Sequence, residues 1–269
     1  MTPLEHLFSA IWLNHNPHKK YVLMATTYTA YFDASGQPGD SPVTFVVGFV
    51  SSATKWLRFE AQWHALLKAN RLAPPLHMTD FTNGAPPYEA WRENTDKKQA
   101  FFKNAIRTIK HNIHQGVVAG IVFRDMKQAR RQYEMPLLDV PPYVWCAMIG
   151  CKKIMDWGKR HGLSPAQIEF VFERGDQHQH IFEDHCFKKW AIHPIIRSKT
   201  SLLAFQPADM LAWEMRRAYI DHESGKLRLR VSAYRMYEQL PLFLGLYDQE
   251  GFTKLCQKIG KPRNYASVS

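Results

Sequence analysis

The sequence predicts an α/β fold: one mixed sheet, led by an antiparallel hairpin, with helices on both faces. Three observations predict it. Two β-rich runs, Thr27 to Asp33 and Val43 to Ser51, stand near the start with a turn between them. Later strand-like runs alternate with segments of helical period. One of those runs, Gly116 to Arg124 (GVVAGIVFR), is almost continuously apolar, as expected of a strand covered on both faces.

Each element has a local reason. Met1 to Lys20 is read as an N-terminal extension, with a short amphipathic helix at Leu4 to Leu13 and a polar linker at Asn14 to Lys20. It lacks a basic start and a small-residue cleavage site, so no signal peptide is expected. Residues 21–269 are read as a single domain. The segment Gln37 to Pro42 holds Gly39-Asp40 and two prolines and is a turn. Trp56, Phe59, Trp63, Leu66 and Leu67 recur at helical spacing, which predicts a helix over Thr54 to Ala69. Pro74 to Phe81 reads as a short extended piece, and Tyr88 to Lys110 as a helix entered after Pro86-Pro87. After the Gly116 strand come a helix at 126–134 and a longer one with an apolar stripe at Val144, Ala147, Met148, Cys151, Ile154 and Met155. Gln167 to Glu173 is a strand, 178–190 a helix, and Ile195-Ile196 a short edge strand. Pro207 to Ile220 is a helix with proline in its first turn. The last 40 residues carry weaker signals; Tyr247 to Gly260 is read as a final helix.

Composition bounds the class. The chain has 269 residues, 45% of them hydrophobic and 22% charged, which suits a globular protein. No run of about 18 apolar residues predicts a membrane span. The four cysteines, Cys146, Cys151, Cys186 and Cys256, form no CxxC pair and read as reduced core thiols of a cytoplasmic protein. Lys and Arg number 35 against 24 acids, a net charge of +11. Such a balance bears on partners rather than fold, and nucleic acid is the natural polyanion. No phosphate-binding glycine loop and no G-x-S-x-G elbow is present.

The acids are the candidates for chemistry. Strand alternation puts Thr29, Tyr31 and Asp33 on one face, with Asp33 at the strand's end. Glu169, Val171 and Glu173 share a face of the later strand, which Glu173 ends; Asp176 follows closely. Asp209 stands in the first turn of the Pro207 helix among apolar neighbours. Acids gathered at one sheet edge would suit Mg²⁺ or Mn²⁺, and two such ions can clamp both oxygens of a phosphodiester displacement. Each acid also has an ordinary reading, which leads on the residues alone. Asp33 reads as a turn acid, Asp209 as a helix-start acid, and Glu173 as the partner of Arg174 or another surface base.

Four blocks resemble a known family. "YFDASG" (Tyr31 to Gly36) looks like the Y-x-D-E-S-G opening of the family called Domain of Unknown Function 3800, which is ribonuclease H-like. "VVGFVSSATKWLRFEAQWHALL", "LHMTDF" (Leu76 to Phe81) and "FQPADMLAWE" (Phe205 to Glu214) are similar to its later blocks, in order. The resemblance implies a ribonuclease H-like fold and metal-dependent nuclease activity. It implies that Asp33 and Asp209 are catalytic metal ligands, with Glu173 as the strand-end acid and two Mg²⁺ or Mn²⁺ ions; Asp176, close behind Glu173, or Asp80 is read as assisting. Asp80 matches the short block, and His77 beside it reads as a substrate contact or a structural hydrogen bonder. The family's Glu after the first Asp is Ala34 here. If strand geometry continues, position 34 points away from the metal face and the site is spared.

Basic residues at Arg130, Arg131, Arg216, Arg217, Arg228 and Arg230 read as a phosphate track or as a solvated surface. His178, His180 and His185 lack a second cluster that would complete a zinc site. The leading expectation is a nuclease acting on RNA or DNA. The alternatives are a nucleic-acid-binding module without catalysis and a protein-interaction subunit. A homo-oligomer or another protein partner stays open.

Overall fold

Strands β1 (Tyr28–Ser35) and β2 (Val43–Ser52) form the antiparallel hairpin, with Asp33 opposite Val47 and Ala34 opposite Val46. The computed structural model describes residues 28–198, 200, 202–226 and 230–262. The expected N-terminal extension, the linker, the first residue of the expected first strand and Arg228 lie outside the described residues. Along β2, β-branched and aromatic side chains fill both faces, and nine of its ten residues are buried.

The hairpin continues into a six-stranded sheet of order β6-β5-β1-β2-β3-β7. Its other members are β3 (Gln115–Val122), β5 (Ile168–Glu173), β6 (Ile195–Arg197) and β7 (Leu242–Tyr247). A separate two-residue pair joins β4 (Tyr133–Glu134) to β8 (Lys261–Pro262). Only β2 runs against the other strands of the large sheet. The C-terminal ends of β1, β3, β5, β6 and β7 therefore share one edge.

Helices cover both faces. Against one face pack α1 (Ala53–Ala69), α2 (Met78–Asn83), α3 (Thr95–Asn112), α8 (Gln206–Glu223) and α9 (Val231–Gln239). Against the other pack α4 (Phe123–Gln132), α5 (Pro136–Asp139), α6 (Pro142–Arg160), α7 (Gln179–Trp190) and α10 (Gln249–Ile259). Strand alternation sorts the side chains: Tyr31, Val47 and Val171 enter the α8 layer, while Phe32, Val46 and Phe172 enter the α6 layer. The four cysteines are free and buried, as core thiols should be.

Several sequence expectations shift. The piece read as extended over Pro74 to Phe81 turns helical at Met78, ending on Gly84 in the left-handed region. The helix expected from Tyr88 begins at Thr95, where the Asn94 side chain accepts from the Lys97 amide; before it lies one 3-10 turn at Glu89–Trp91. The helix expected at 126–134 starts at Phe123, directly after β3, and gives way to extended chain at Tyr133. Strand β7 and helix α9 were not foreseen. A six-residue apolar run such as LFLGLY fits a strand or a helical turn equally, and only its parallel pairing with β3 decides.

Beside the acids, aromatic packing fixes the β1–β5 pair. Phe32 stacks on Phe172, with ring centroids 4.4 Å apart and planes 6° from parallel. The Phe32 ring occupies the space above two glycines: a Cβ at Gly48 would lie 2.2 Å from it and one at Gly150 2.8 Å. Both are required by this close approach. Gly48→Ala is therefore expected to lower the unfolding free energy by about 1–3 kcal/mol, the usual cost of overpacking. Urea denaturation measures it, and a loss below about 0.5 kcal/mol would show that the ring has room to move.

Candidate active site

The register of β1 on β5 pairs Phe32 with Phe172, so the next residues, Asp33 and Glu173, sit side by side at the C-terminal edge. Tyr31 and Val171, two residues before them, enter the α8 layer, so both acids belong to that face. Asp33 is only 7% exposed, and its Oδ1 accepts the Ala34 amide at 2.6 Å.

Helix α8 brings the third acid. Gln206 opens the helix, Pro207 follows in its first turn, and Asp209 stands in that turn. The buried Gln206 accepts the Leu76 amide through Oε1 at 2.9 Å. That bond ties the Leu76 to Phe81 segment to the start of α8, joining two blocks 130 residues apart. Trp56 Nε1 donates to the Thr29 carbonyl at 2.9 Å and holds α1 to β1 beneath them.

These elements enclose one cavity of about 310 Å³. Asp33, Glu173, Asp176 and Asp209 all line it, together with Arg216, Thr79, Tyr143 and Trp213. Asp209, Trp213 and Arg216 recur at i, i+4 and i+7 and so share one face of α8. Asp176 accepts the His178 amide at 2.8 Å. Burial raises the Asp176 pKa above the usual aspartate value, with the His178 amide pulling the other way. Burial likewise pushes the Tyr143 hydroxyl above its ordinary range.

Arg216 is seated by a glycine. Gly36 turns at φ +90°, and a Cβ there would meet the Val43 carbonyl at 2.2 Å and Arg216 Cδ at 3.1 Å. Only glycine lets the arginine stem pass so close to this turn. The Arg216 Nε–H is buried with no hydrogen-bond partner among the described residues.

The strand runs on through Ala34 and Ser35. Ala34 pairs with Val46, whose side chain enters the α6 layer, whereas Asp33 pairs with Val47 in the α8 layer. Position 34 thus lies on the opposite face of the strand from Asp33, although at the strand's end Ala34 still borders the same cavity.

Other expected site residues fall elsewhere. His77 precedes α2 and is exposed, and its amide donates to the Tyr88 hydroxyl at 3.5 Å. Asp80 lies in the first turn of α2 outside the cavity lining; its neighbour Thr79 reaches the cavity instead. Arg130 is committed to structure, donating from Nε to the Leu138 carbonyl and from Nη2 to the Val140 carbonyl. It lies with Arg131 on α4, in the layer opposite the acids. Arg217 is exposed, with its Nε 3.4 Å from Asp221. Arg230 is held by Glu214 at 3.1 Å and lies over the Trp213 ring at 4.9 Å. Thr79, Tyr143 and Trp213 had no signal in the sequence, because each arrives from an element that local pattern does not connect to the acids.

For a divalent ion, the donor set has the right chemistry: the four expected acids, joined by Asp40 in the lining, are all oxygen ligands. As placed, however, no three His, Cys, Asp or Glu side chains among the described residues form a group that could hold a metal ion. The histidines of the 178–185 segment form no such group either.

No family model matches the chain, and no curated protein matches it. Among solved structures, it is similar over 78% of its length to 85% of a chain in the PCNA:RNase HII complex from Archaeoglobus fulgidus, at 11% identity and a TM-score of 0.40. It is also similar over 94% of its length to 82% of the Bst-RNase HIII chain in complex with Mn²⁺, at 11% identity and a TM-score of 0.42. Neither likeness assigns a role to any residue here. The fold itself is α/β: an antiparallel β1-β2-β3 meander, then strands parallel to its outer strands added on either side.

Glu214 braces the cavity wall from behind. It is fully buried next to Trp213, accepting Ser232 Oγ at 2.6 Å as well as Arg230. Burial raises its pKa, while Arg230 and Ser232 pull it down less strongly. The folded protein thus holds this proton more tightly than the unfolded chain. The group's contribution to stability is fully present below the ordinary glutamate pKa and is lost as pH rises through the folded value. The stability of the wild type minus that of Glu214→Gln should therefore fall with rising pH across that window, as urea denaturation at a series of pH values would show. A difference that rises instead would mean that Arg230 and Ser232 outweigh burial.

Proposed function

We propose that this protein is a divalent-metal-dependent nuclease that hydrolyses phosphodiester bonds in RNA or DNA. One observation carries the reading: Asp33, Glu173, Asp176 and Asp209, from two strand ends, a loop and a helix start, line one cavity together with the half-buried Arg216. The four blocks that resemble the Domain of Unknown Function 3800 family contain two of these acids, and a hairpin-led mixed sheet with helices on both faces is the architecture that resemblance implies.

In this reading Asp33, Glu173 and Asp209 hold Mg²⁺ or Mn²⁺, with Asp176 assisting. Two ions would supply a water nucleophile and stabilise the leaving oxygen. Without cations, four carboxylates around one cavity repel one another, so an open arrangement is the expected resting geometry. Arg216 grips the phosphate next to the scissile bond, since an incoming phosphate oxygen would satisfy its buried Nε–H. The Asp33 carboxylate stays oriented through the Ala34 amide. The α6-side stack of Phe32 on Phe172 keeps the two strand-end acids adjacent.

The test uses labelled single- and double-stranded RNA and DNA and an RNA–DNA hybrid, with Mg²⁺, Mn²⁺ or EDTA. Asp33→Asn is expected to lose cleavage by more than about 100-fold, because even the outer partners of metal ligands are worth 10–100-fold. Arg216→Gln should weaken cleavage without weakening Mn²⁺ binding measured by calorimetry. Cleavage that survives both EDTA and Asp33→Asn would overturn the metal mechanism. Binding without cleavage would favour the second reading, a non-catalytic nucleic-acid-binding module. That reading is favoured by the lack of a ready three-ligand group among the described residues.

A further inference from the structure

A second charged feature lies away from the acids. On α3, Lys103, Arg107 and Lys110 recur at i, i+4 and i+7 and form one ridge. Helix α9 packs beside α3 and adds Arg235 and Gln239. Together with His111 they line a groove of about 380 Å³ that contains no carboxylate. The ridge from Lys103 to Lys110 spans about 10 Å of helix.

Several bases elsewhere on the surface are paired with acids. Lys152, Lys188 and Lys254 each meet an acid one helical turn away, and Arg124 meets Glu223. Among the described residues, Lys103, Arg107, Lys110 and Arg235 make no ion pair. Four fixed charges converging without counter-charge repel one another, which is a cost unless an anion settles among them.

The groove's position separates it from the acid cavity. His111 is next to Asn112, whose carbonyl accepts Ser51 Oγ at 2.5 Å near the end of β2. Ser51 pairs with Thr29, whereas Asp33 pairs with Val47. Four strand residues, about 13 Å, therefore lie between the two levels of the sheet. Gln239 comes just before β7, which starts beside Gly116 at the start of β3, two strands across from β1. With strands about 4.8 Å apart, the groove lies on the order of 20 Å from the acids, on the same helical layer.

We propose that the groove between α3 and α9 is a separate binding site for the sugar-phosphate backbone of a nucleic acid. It would take a flank of the strand that the acid cavity acts on, roughly six nucleotides away at 3.4 Å per step. The link to the acid cavity rests on the nuclease reading; the binding site itself does not. The chemistry recognised is a row of phosphates, without regard to base sequence.

The test is equilibrium binding of a 30-bp DNA duplex to the full chain in EDTA, so that cleavage plays no part. The groove variant is Lys103→Gln/Arg107→Gln/Lys110→Gln. The comparison variant, Lys152→Gln/Lys153→Gln/Lys159→Gln, removes the same charge from exposed positions on α6. The groove variant should bind about 10- to 100-fold more weakly at 50 mM salt, with a log–log salt slope shallower by about 2–3. The α6 variant should bind as wild type does. Equal losses in the two triple variants would reduce the effect to net charge and overturn the site. So would unchanged binding in the groove variant. Loss of binding to phosphatidylserine vesicles with duplex binding intact would assign the groove to a membrane surface and equally overturn the proposal. Normal duplex binding by a chain that cleaves nothing would sink the nuclease reading alone.

Discussion

The parallel pairing of β1 with β5 is the constraint on which the site depends. It is set on the α6 side by Phe32 lying flat on Phe172, over the bare backbone of Gly48 and beside Gly150. Stacking of this kind adds about 0.5–1.5 kcal/mol beyond burial, and the register it favours is unforgiving. A slip of one residue would turn every side chain of β1 to the other face. Asp33 would then enter the apolar α6 layer, where an unpartnered carboxylate is expensive. Because the stack is correct, Asp33 and Glu173 emerge together on the α8 side.

The site is a second consequence of the same arrangement. All strands but β2 end at one edge, so loops and helix starts from distant parts of the chain meet there. Gln206 ties the Leu76 segment to the start of α8, and Gly36 leaves room for the Arg216 stem. The cavity therefore carries opposite charges on one wall and acids on the others. That combination is the one the proposed phosphate and divalent ions would meet.

Much of the fold could be read locally. Period-two alternation placed Asp33 on the same face as Tyr31, and helical spacing placed Trp56, Phe59 and Trp63 in the core. The expectation that Ala34 would face away from the acids followed from alternation alone and agrees with its pairing to Val46. The failures have a common source. Arg130 and Arg230 looked like phosphate contacts, yet one holds the carbonyls of Leu138 and Val140 and the other serves the buried Glu214. A basic residue carries no mark of whether a partner waits for it across the fold. The ridge on α3 went unremarked for the opposite reason: its charge becomes a groove only when α9 packs beside it.

The amino-acid sequence by itself determined most of the strands and helices, which face of each is apolar, and that acids stand at the ends of two strands and the start of one helix. Those properties follow from local sterics and from the periods of 2 and 3.6 residues. Only the tertiary structure decided that these acids share a cavity, that Arg216 joins them, and that β7 completes the sheet. Such placements depend on contacts between residues more than 100 positions apart, as between Leu76 and Gln206. Strand register, close approach over glycine and the competition for buried partners set them, and none of these is written in any local stretch of chain.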